Sequence, residues 1–376
     1  MKKIAIITST RADYGILRPL ISALHSSTQF DLKIIVTGMH LSEDFGNTVD
    51  EISEDGFSIA ERINIGINRD HNITSSMGQA VSKFGDYFLK NRPDVAVVLG
   101  DRFEILGVTQ AAHINSLPIV HIAGGDITEG AYDDAIRHCL TKLSHIHFTT
   151  NEEAKKRVIQ MGEDSNLVFN VGSLGVENIL QTNFMTTSEL EENLGISFGK
   201  KNFLITYHPE TNYSDNLAFD NLLSSLDKLE DTNFYFTYPN ADKGGERIFK
   251  LLDEFIKNKS NAFGFKSLGT QRYFSMIKAC DVVIGNSSSG LYEVPSFKVP
   301  TVNIGDRQKG RILAESVIQC DESEVGITNA IERALSLDCS KAINPYGDGE
   351  TSEKMISILN GIKDFNTLLR KRFFEN

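Results

Sequence analysis

The sequence predicts an α/β protein of two tandem domains, each a parallel sheet covered by helices on both faces. Three observations carry that expectation. The chain has 376 residues, more than one domain at about 150 residues apiece. Short runs rich in Val and Ile alternate with amphipathic stretches from one end to the other. Strands buried on both faces read as such runs, and an intervening helix lets the next strand run parallel. The alternation pauses once, in the polar stretch 181–201, and then starts again.

In the first half the expected strands are residues 3–8, 32–37, 94–99, 118–122, 145–149 and 167–171. Helical periodicity lies between them, as at 77–90, 103–113 and 152–161. The second half offers strands at 202–207, 234–238, 281–285 and 300–304, with helices at 244–257 and 325–336. Two further helical segments, 352–363 and 365–374, close the chain. We therefore place a first domain at 1–175 and a second at 176–355, with no short repeat and no low-complexity tract.

Composition narrows the function. Lys and Arg number 38 against 50 Asp and Glu, a formal charge of −12, while hydrophobic residues make up 40% and charged residues 23%. That is an ordinary globular balance without the basic face that a general nucleic-acid binder needs. No apolar run approaches the ~20 residues that span a bilayer. The apolar residues after Met1-Lys2-Lys3 run directly into Ser9, Thr10, Arg11 and Asp13. That run is too short for the core of a secretory leader, so it reads as the first strand of a cytoplasmic protein. Cys139, Cys280, Cys320 and Cys339 are scattered with no CxxC pair, which predicts free, mostly buried thiols. Without a secretory signal, the sequons at Asn72, Asn212, Asn258 and Asn286 carry no weight.

In doubly wound sheets a ligand sits beyond the carboxyl ends of the strands, so the residues just after each apolar run matter most. The first run ends in Thr8-Ser9-Thr10-Arg11-Ala12-Asp13-Tyr14-Gly15, where small hydroxylated residues and a cation suit an anion or form a plain capping turn. The third expected strand ends in Gly100-Asp101-Arg102, an acid and a base at a strand tip that could equally be a structural ion pair. His121-Ile122-Ala123-Gly124-Gly125-Asp126 follows, running on through Glu129, Tyr132, Asp133, Asp134, Arg137 and His138. The two glycines there are expected to let backbone approach a ligand. Asp133 and Asp134 can start a helix, yet one cap needs only one acid. His145 and His147 form HxH, but His145 should start a strand, so neither a metal nor any other cofactor is expected.

In the second half, Thr206-Tyr207-His208-Pro209-Glu210 places an imidazole at a strand end, with a hydrogen-bonded loop histidine as the alternative. Gly285-Asn286-Ser287-Ser288-Ser289-Gly290, followed by Glu293, comes directly after Val282-Val283-Ile284. A strand, small residues and then a helix start make a pocket of N–H and hydroxyl donors for phosphate. Asp306-Arg307-Gln308 adds a cation at the same edge.

Taken in order, these motifs, with Tyr346-Gly347-Asp348-Gly349 near the end, resemble the UDP-N-acetylglucosamine 2-epimerases, and within them the hydrolysing branch of sialic acid synthesis. The resemblance covers nearly the whole chain. It implies a GT-B architecture, two Rossmann-like domains facing each other across a cleft, with the last helix, about 356–376, returning to the first domain. It implies that Ser287 and Ser288 bind phosphate and that Glu293 holds ribose hydroxyls. His208, also expected among the catalytic residues, and Arg307 would lie near the diphosphate, which Arg11 and Arg102 reach from the first domain. Asp101 and Asp133 match two of the family's catalytic carboxylates. UDP would leave by elimination to 2-acetamidoglucal, and water would add with inversion at C2, yielding N-acetylmannosamine. A homodimer or homotetramer is implied too.

Two positions depart from the family pattern. Many relatives have a glutamate where this chain has Ala123, and Asp126 or Glu129 is the expected substitute; some have Ser where it has Gly15. The sugar therefore stays open between N-acetylglucosamine and a UDP-linked 2,4-diacetamido-2,4,6-trideoxyhexose of legionaminic acid synthesis. A non-hydrolysing epimerase, a retaining glycosyltransferase and a catalytically silent nucleotide-sugar sensor remain as further readings.

Overall fold

The computed structural model describes residues 1–375 except 46, 69–71, 129–131, 209–216, 239–244 and 267. Its contacts divide the chain into two units, Met1–Asn178 with Tyr346–Asn376, and Ile179–Pro345.

The first unit is built on seven parallel strands: β1 (Lys2–Thr8), β2 (Phe30–Thr37), β3 (Ile59–Ile63), β4 (Val95–Leu99), β5 (Ile119–Ile122), β6 (Ile146–Thr149) and β7 (Val168–Asn170). Their spatial order is β3-β2-β1-β4-β5-β6-β7. The second unit holds six: β8 (Lys201–Thr206), β9 (Thr232–Thr237), β10 (Ala262–Phe265), β11 (Val282–Gly285), β12 (Thr301–Ile304) and β13 (Val317–Cys320), ordered β10-β9-β8-β11-β12-β13. Each order reverses once, between β1 and β4 and between β8 and β11. Such a reversal opens a crevice beyond the strand ends, because the connections on its two sides leave in opposite directions.

Both faces of each sheet are buried, for the reason the apolar runs suggest. Ile4 and Ile6 face one core while Ala5 and Ile7 face another. In the second unit Phe203 and Ile205 face one core and Leu204 the other.

Three strands escape the sequence pattern, β3, β10 and β13, and all three are sheet edges. An edge strand is wetted on one side, so β3 (Ile-Ala-Glu-Arg-Ile) buries only Ile63 and lacks the continuous apolar run of a central strand. The Gly100 turn accordingly follows the fourth strand rather than the third. The polar stretch 181–201 is also more than a linker. It contains a helix, Thr187–Leu194, started by a capping box between Thr186 and Glu189 and anchored by buried Leu190. Of the four free cysteines, Cys280 and Cys339 are buried, Cys320 is half-buried and Cys139 is exposed.

The end of the chain belongs to the first unit. Helix Thr351–Gly361 packs along helix Arg11–Ser26 and places Met355 and Leu359 in its core. Glu177, buried, accepts from the Ser352 N–H at 2.7 Å and from its hydroxyl. The helix expected over 365–374 is reduced to a 3-10 turn, Phe365–Leu369. Beyond it the chain is held by other partners. Phe374 N–H donates to the Gly162 carbonyl, and the Lys371 ammonium donates to the Lys142 and Ser144 carbonyls and pairs with Glu163 at 2.6 Å.

Glu163 gathers three donors, Lys142, Lys371 and His147, at 2.6, 2.6 and 3.0 Å. Burial alone would raise its carboxyl; the hydrogen bonds from His147, Lys142 and Lys371 overcome that and hold it down to about 2. A depressed carboxyl stabilises the fold above its unfolded value and loses that contribution as pH falls through the folded value. Glu163→Gln is therefore expected to destabilise the protein by on the order of 2 kcal/mol near neutral pH. In urea titrations the gap from wild type should shrink between pH 4.5 and about 2, the two ends of that shift; a pH-independent gap would refute this.

Strand β11 closes on a position only glycine can fill. Gly285 has φ of 142°, and a Cβ there would sit 1.9 Å from the Thr206 carbonyl oxygen of β8. Gly285→Ala should cost at least about 2 kcal/mol through strain and forced strand separation. Wild-type melting of that variant would contradict the argument.

Candidate functional site

In the first unit the switch point is furnished by the tips of β1 and β4. After β1, the Thr10 hydroxyl accepts from the Asp13 N–H at 3.2 Å and caps helix Arg11–Ser26. The Ser9 hydroxyl donates to Asp13 at 2.6 Å, and burial raises the Asp13 carboxyl above its ordinary value. Arg11 is exposed and pairs with Glu51 at 2.9 Å. Gly15 uses its carbonyl to accept from the Asn178 amide.

The chain turns beyond β4 at Gly100, whose φ of 76° suits glycine. Asp101 then pairs with Arg137, and Arg102 with Glu104. Arg137 is buried and collects the surrounding chain. One terminal nitrogen donates to the Asp126 carbonyl at 2.8 Å, and the other reaches the Thr128 hydroxyl at 3.2 Å besides Asp101. His121, fully buried on β5, places Nε2 at 2.8 Å from the Gly100 carbonyl and Nδ1 at 3.3 Å from the Thr141 hydroxyl. Burial lowers its pKa to about 3, so the ring is neutral, and the carbonyl fixes the proton on Nε2. His121 thus ties the Asp101 turn to the helix that carries Arg137.

That helix is Tyr132–Leu143, and its two adjacent acids divide their work. Asp134 accepts from the Thr128 N–H at 2.6 Å and faces Arg137 and His138 at 3.4 and 3.3 Å. The Asp133 carboxylate makes no hydrogen bond among the described residues. Burial, and then the negative charge of Asp101, raises its carboxyl, so it keeps its proton to a higher pH than an ordinary aspartate. Asp126 turns its carboxylate toward Thr150 and Asn151, at 3.4 and 3.3 Å. Glu129 lies outside the described residues.

The glycines after β5 are required by the packing around them. A Cβ on Gly124 would meet the Thr141 hydroxyl at 2.8 Å and His121 at 2.9 Å, and one on Gly125 would meet the Ala154 carbonyl at 2.3 Å. Ala123 itself is left-handed, with φ of 64°.

In the second unit Asn286, fully buried, is the organiser. Its side chain accepts from the His208 N–H at 2.7 Å and donates to the His208 carbonyl at 2.9 Å, joining the tips of β8 and β11. Its own carbonyl accepts from Arg307 at 3.1 Å and from Gln308 at 2.8 Å. Arg311 donates to Gln308 at 2.7 Å and stacks over Tyr292. Ser287 is half-buried and Ser288 exposed. The helix they introduce is one short turn, Ser289–Tyr292. Glu293 follows it, its carboxyl raised by burial, and the Tyr273 hydroxyl donates to Ser289 at 2.8 Å.

The structure thus groups Asp101, Arg102, Asp126 and Asp133 in the first unit and His208 and Arg307 in the second, with Ser287, Ser288 and Glu293 on the segment beyond β11. Reading the sequence missed Glu104, Tyr273 and the organising part of Asn286. Glu104 had a signal: it is the one acid in Phe103–Ile114, an otherwise largely apolar helix. Among the described residues no group of three His, Cys, Asp or Glu is placed to hold a metal ion, and no helix is long and apolar enough to cross a membrane.

The chain is 42% identical over 375 residues to the polysialic acid biosynthesis protein P7 of Escherichia coli, covering 97% of this chain and 94% of that one. It is 41% identical over 329 residues to a hydrolysing GDP/UDP-N,N'-diacetylbacillosamine 2-epimerase of Campylobacter jejuni, covering 86% and 85%. The crystal structure of a Neisseria meningitidis UDP-GlcNAc 2-epimerase bound to UDP-GlcNAc superposes with a TM-score of 0.78 at 17% identity, over 96% of this chain and 100% of that one. The two parallel α/β units therefore have the GT-B-like fold of those enzymes. Residues 22–360 match the model of the UDP-N-acetylglucosamine 2-epimerase family, and the chain belongs to that family.

Proposed function

We propose that the protein is a hydrolysing 2-epimerase that converts UDP-N-acetylglucosamine and water to UDP and N-acetylmannosamine for sialic acid biosynthesis. The observation that carries this is the Asp101–Asp133 pair beside Arg137, in a chain of this family. One acid is ion-paired to a guanidinium while the other is pushed toward its protonated form, a division that suits one group to take a proton and the other to give one.

In this reading a base removes the proton from C2 and the C1–O bond to UDP breaks, leaving the C1–C2 double bond of 2-acetamidoglucal. Water then adds, its oxygen to C1 and a proton to the opposite face of C2, so that C2 is inverted and the free sugar leaves. Asp101 and Asp133 are the proton-transfer groups, and Asp126 supplies the carboxylate that Ala123 does not. In the second unit Ser287, Ser288, His208 and Arg307 bind the diphosphate, where cations and N–H donors stabilise the departing charge. Glu293 takes the ribose hydroxyls, and Arg11 and Arg102 add positive charge from the first unit.

A second substrate has support of its own. The Campylobacter relative is named for a diacetylbacillosamine substrate, and Ala123 departs from the pattern of many N-acetylglucosamine enzymes. A UDP-linked 2,4-diacetamido-2,4,6-trideoxyhexose would undergo the same elimination and hydration.

Proton NMR in D₂O decides between them. UDP-N-acetylglucosamine should give UDP and N-acetylmannosamine deuterated at C2. No turnover with it, but turnover with the diacetamido sugar, would select the second substrate, and failure with both would overturn the epimerase reading. Asp101→Asn and Asp133→Asn should each lower kcat by about 100-fold, the usual weight of a proton-transfer group. Arg307→Ala should raise the Kd for UDP by about 10-fold, the loss of one charge-assisted hydrogen bond, with a smaller effect on kcat. Equal loss of affinity in the aspartate variants would contradict that division.

A further inference from the structure

Glu104 is costly where it stands. It occupies the first turn of helix Phe103–Ile114, whose neighbouring positions are mostly apolar. Its side chain is 0% exposed, whereas that of its partner Arg102 is 30% exposed. A buried carboxylate is unfavourable by several kcal/mol unless paired and fully hydrogen-bonded, and an apolar residue of similar size commonly serves stability better. Glu104 meets only half of that requirement. Oε1 takes the Arg102 Nε–H, while Oε2 is buried with no hydrogen-bond partner among the described residues.

What the pair does fix is the direction of Arg102. A guanidinium carries five N–H donors in one plane. With Nε bound to Glu104 and the side chain 30% exposed, the two terminal amino groups make no hydrogen bond among the described residues. Asp13 lies within the field of the same guanidinium and adds negative charge beside it. Arg102 is thus tethered by one edge and presents the other, the geometry that suits a forked contact with an anionic oxygen pair.

We propose that Glu104 is a positioning residue for ligand binding: it holds Arg102 by Nε so that the terminal amino groups meet the charged oxygens of a nucleoside diphosphate. This rests on the nucleotide-sugar reading above. A purely structural ion pair would make the opposite prediction for stability, because its loss would weaken the fold first.

The test is titration calorimetry with UDP, alongside thermal melting, on wild type, Glu104→Met, Glu104→Gln and the double variant Arg102→Ala/Glu104→Met. Methionine fits an apolar helix face, and the freed Arg102 can turn to solvent. Glu104→Met should therefore melt no lower than wild type yet bind UDP about 10- to 50-fold more weakly, the range of one or two charge-assisted hydrogen bonds. Glu104→Gln keeps an acceptor for Nε–H and should bind within about 3-fold of wild type, as a retained neutral hydrogen bond allows. Removing Arg102 from Glu104→Met should weaken UDP by no more than about 3-fold again, because the two losses are one interaction. Wild-type affinity in Glu104→Met, a lowered melting temperature with affinity unchanged, or a further large loss in the double variant would each overturn the role. Failure of the wild-type protein to bind UDP would overturn the nucleotide reading and this inference with it.

Discussion

The constraint on which the rest depends is that neighbouring strands run parallel in both sheets. A parallel strand cannot be reached by a tight turn, so each connection crosses a face of the sheet, usually as a helix, and all the strand carboxyl ends gather at one edge. The order then has to reverse once, at β1/β4 and again at β8/β11. At those two places the chains leaving adjacent strands part, and backbone and side chains are left without the neighbour that covers them elsewhere. Every motif with chemistry in it emerges beside or close to one of these reversals. Asp101 and Arg102 follow β4, Asp13 follows β1, His208 follows β8, and Asn286 through Glu293 follow β11.

Such tips are held by buried polar groups that serve as braces. His121 joins the Gly100 carbonyl to Thr141, Asn286 spans both sides of the His208 peptide and takes two more donors on its carbonyl, and Arg137 binds Asp101, Asp126 and Thr128 together. Inside a low-dielectric interior each such bond is strong if made and expensive if missing, so these residues restrict the tips to one arrangement. Glycine acts from the other side. At Gly125 and Gly285 a Cβ would strike the Ala154 and Thr206 carbonyls, so close contact between backbones sets the shape of the loop. The acids that remain, above all Asp133, then sit in a field that the braces have fixed, and their protonation follows from it.

The first unit is completed by the end of the chain. Helix Thr351–Gly361 and the segment beyond it supply apolar surface to the first core and two ammonium bonds to the carbonyls at the end of helix Tyr132–Leu143. Glu163 is the anchor there, with Lys142 from that helix and Lys371 from the tail meeting on one carboxylate. The helix that bears Asp133 and Arg137 is therefore fastened at its first turn by Asp134 and at its last by the tail.

The sequence by itself determined the two-fold α/β alternation and the central strands, because a strand covered on both faces must be apolar along its length. It also singled out Asp101, Arg102, Asp126, Asp133, His208, Ser287, Ser288, Glu293 and Arg307, since polar residues at the ends of such runs are conspicuous. Tertiary structure alone decided the rest. The edge strands β3, β10 and β13 are short and only partly buried, and a polar residue or a glycine interrupts each apolar run, so they do not announce themselves. Which of Asp133 and Asp134 is tied down depends on how the fold turns the Thr128 N–H back onto the helix, where it meets Asp134. The glycines after β5 make room for Thr141 and Ala154, a packing need that the string of residues does not show. Glu104 hid inside an apolar helix, and only its burial against Arg102 shows that a charge was kept there at a cost. Periodicity is local and survives in the string of residues; a hydrogen-bond partner forty positions away is chosen by the fold.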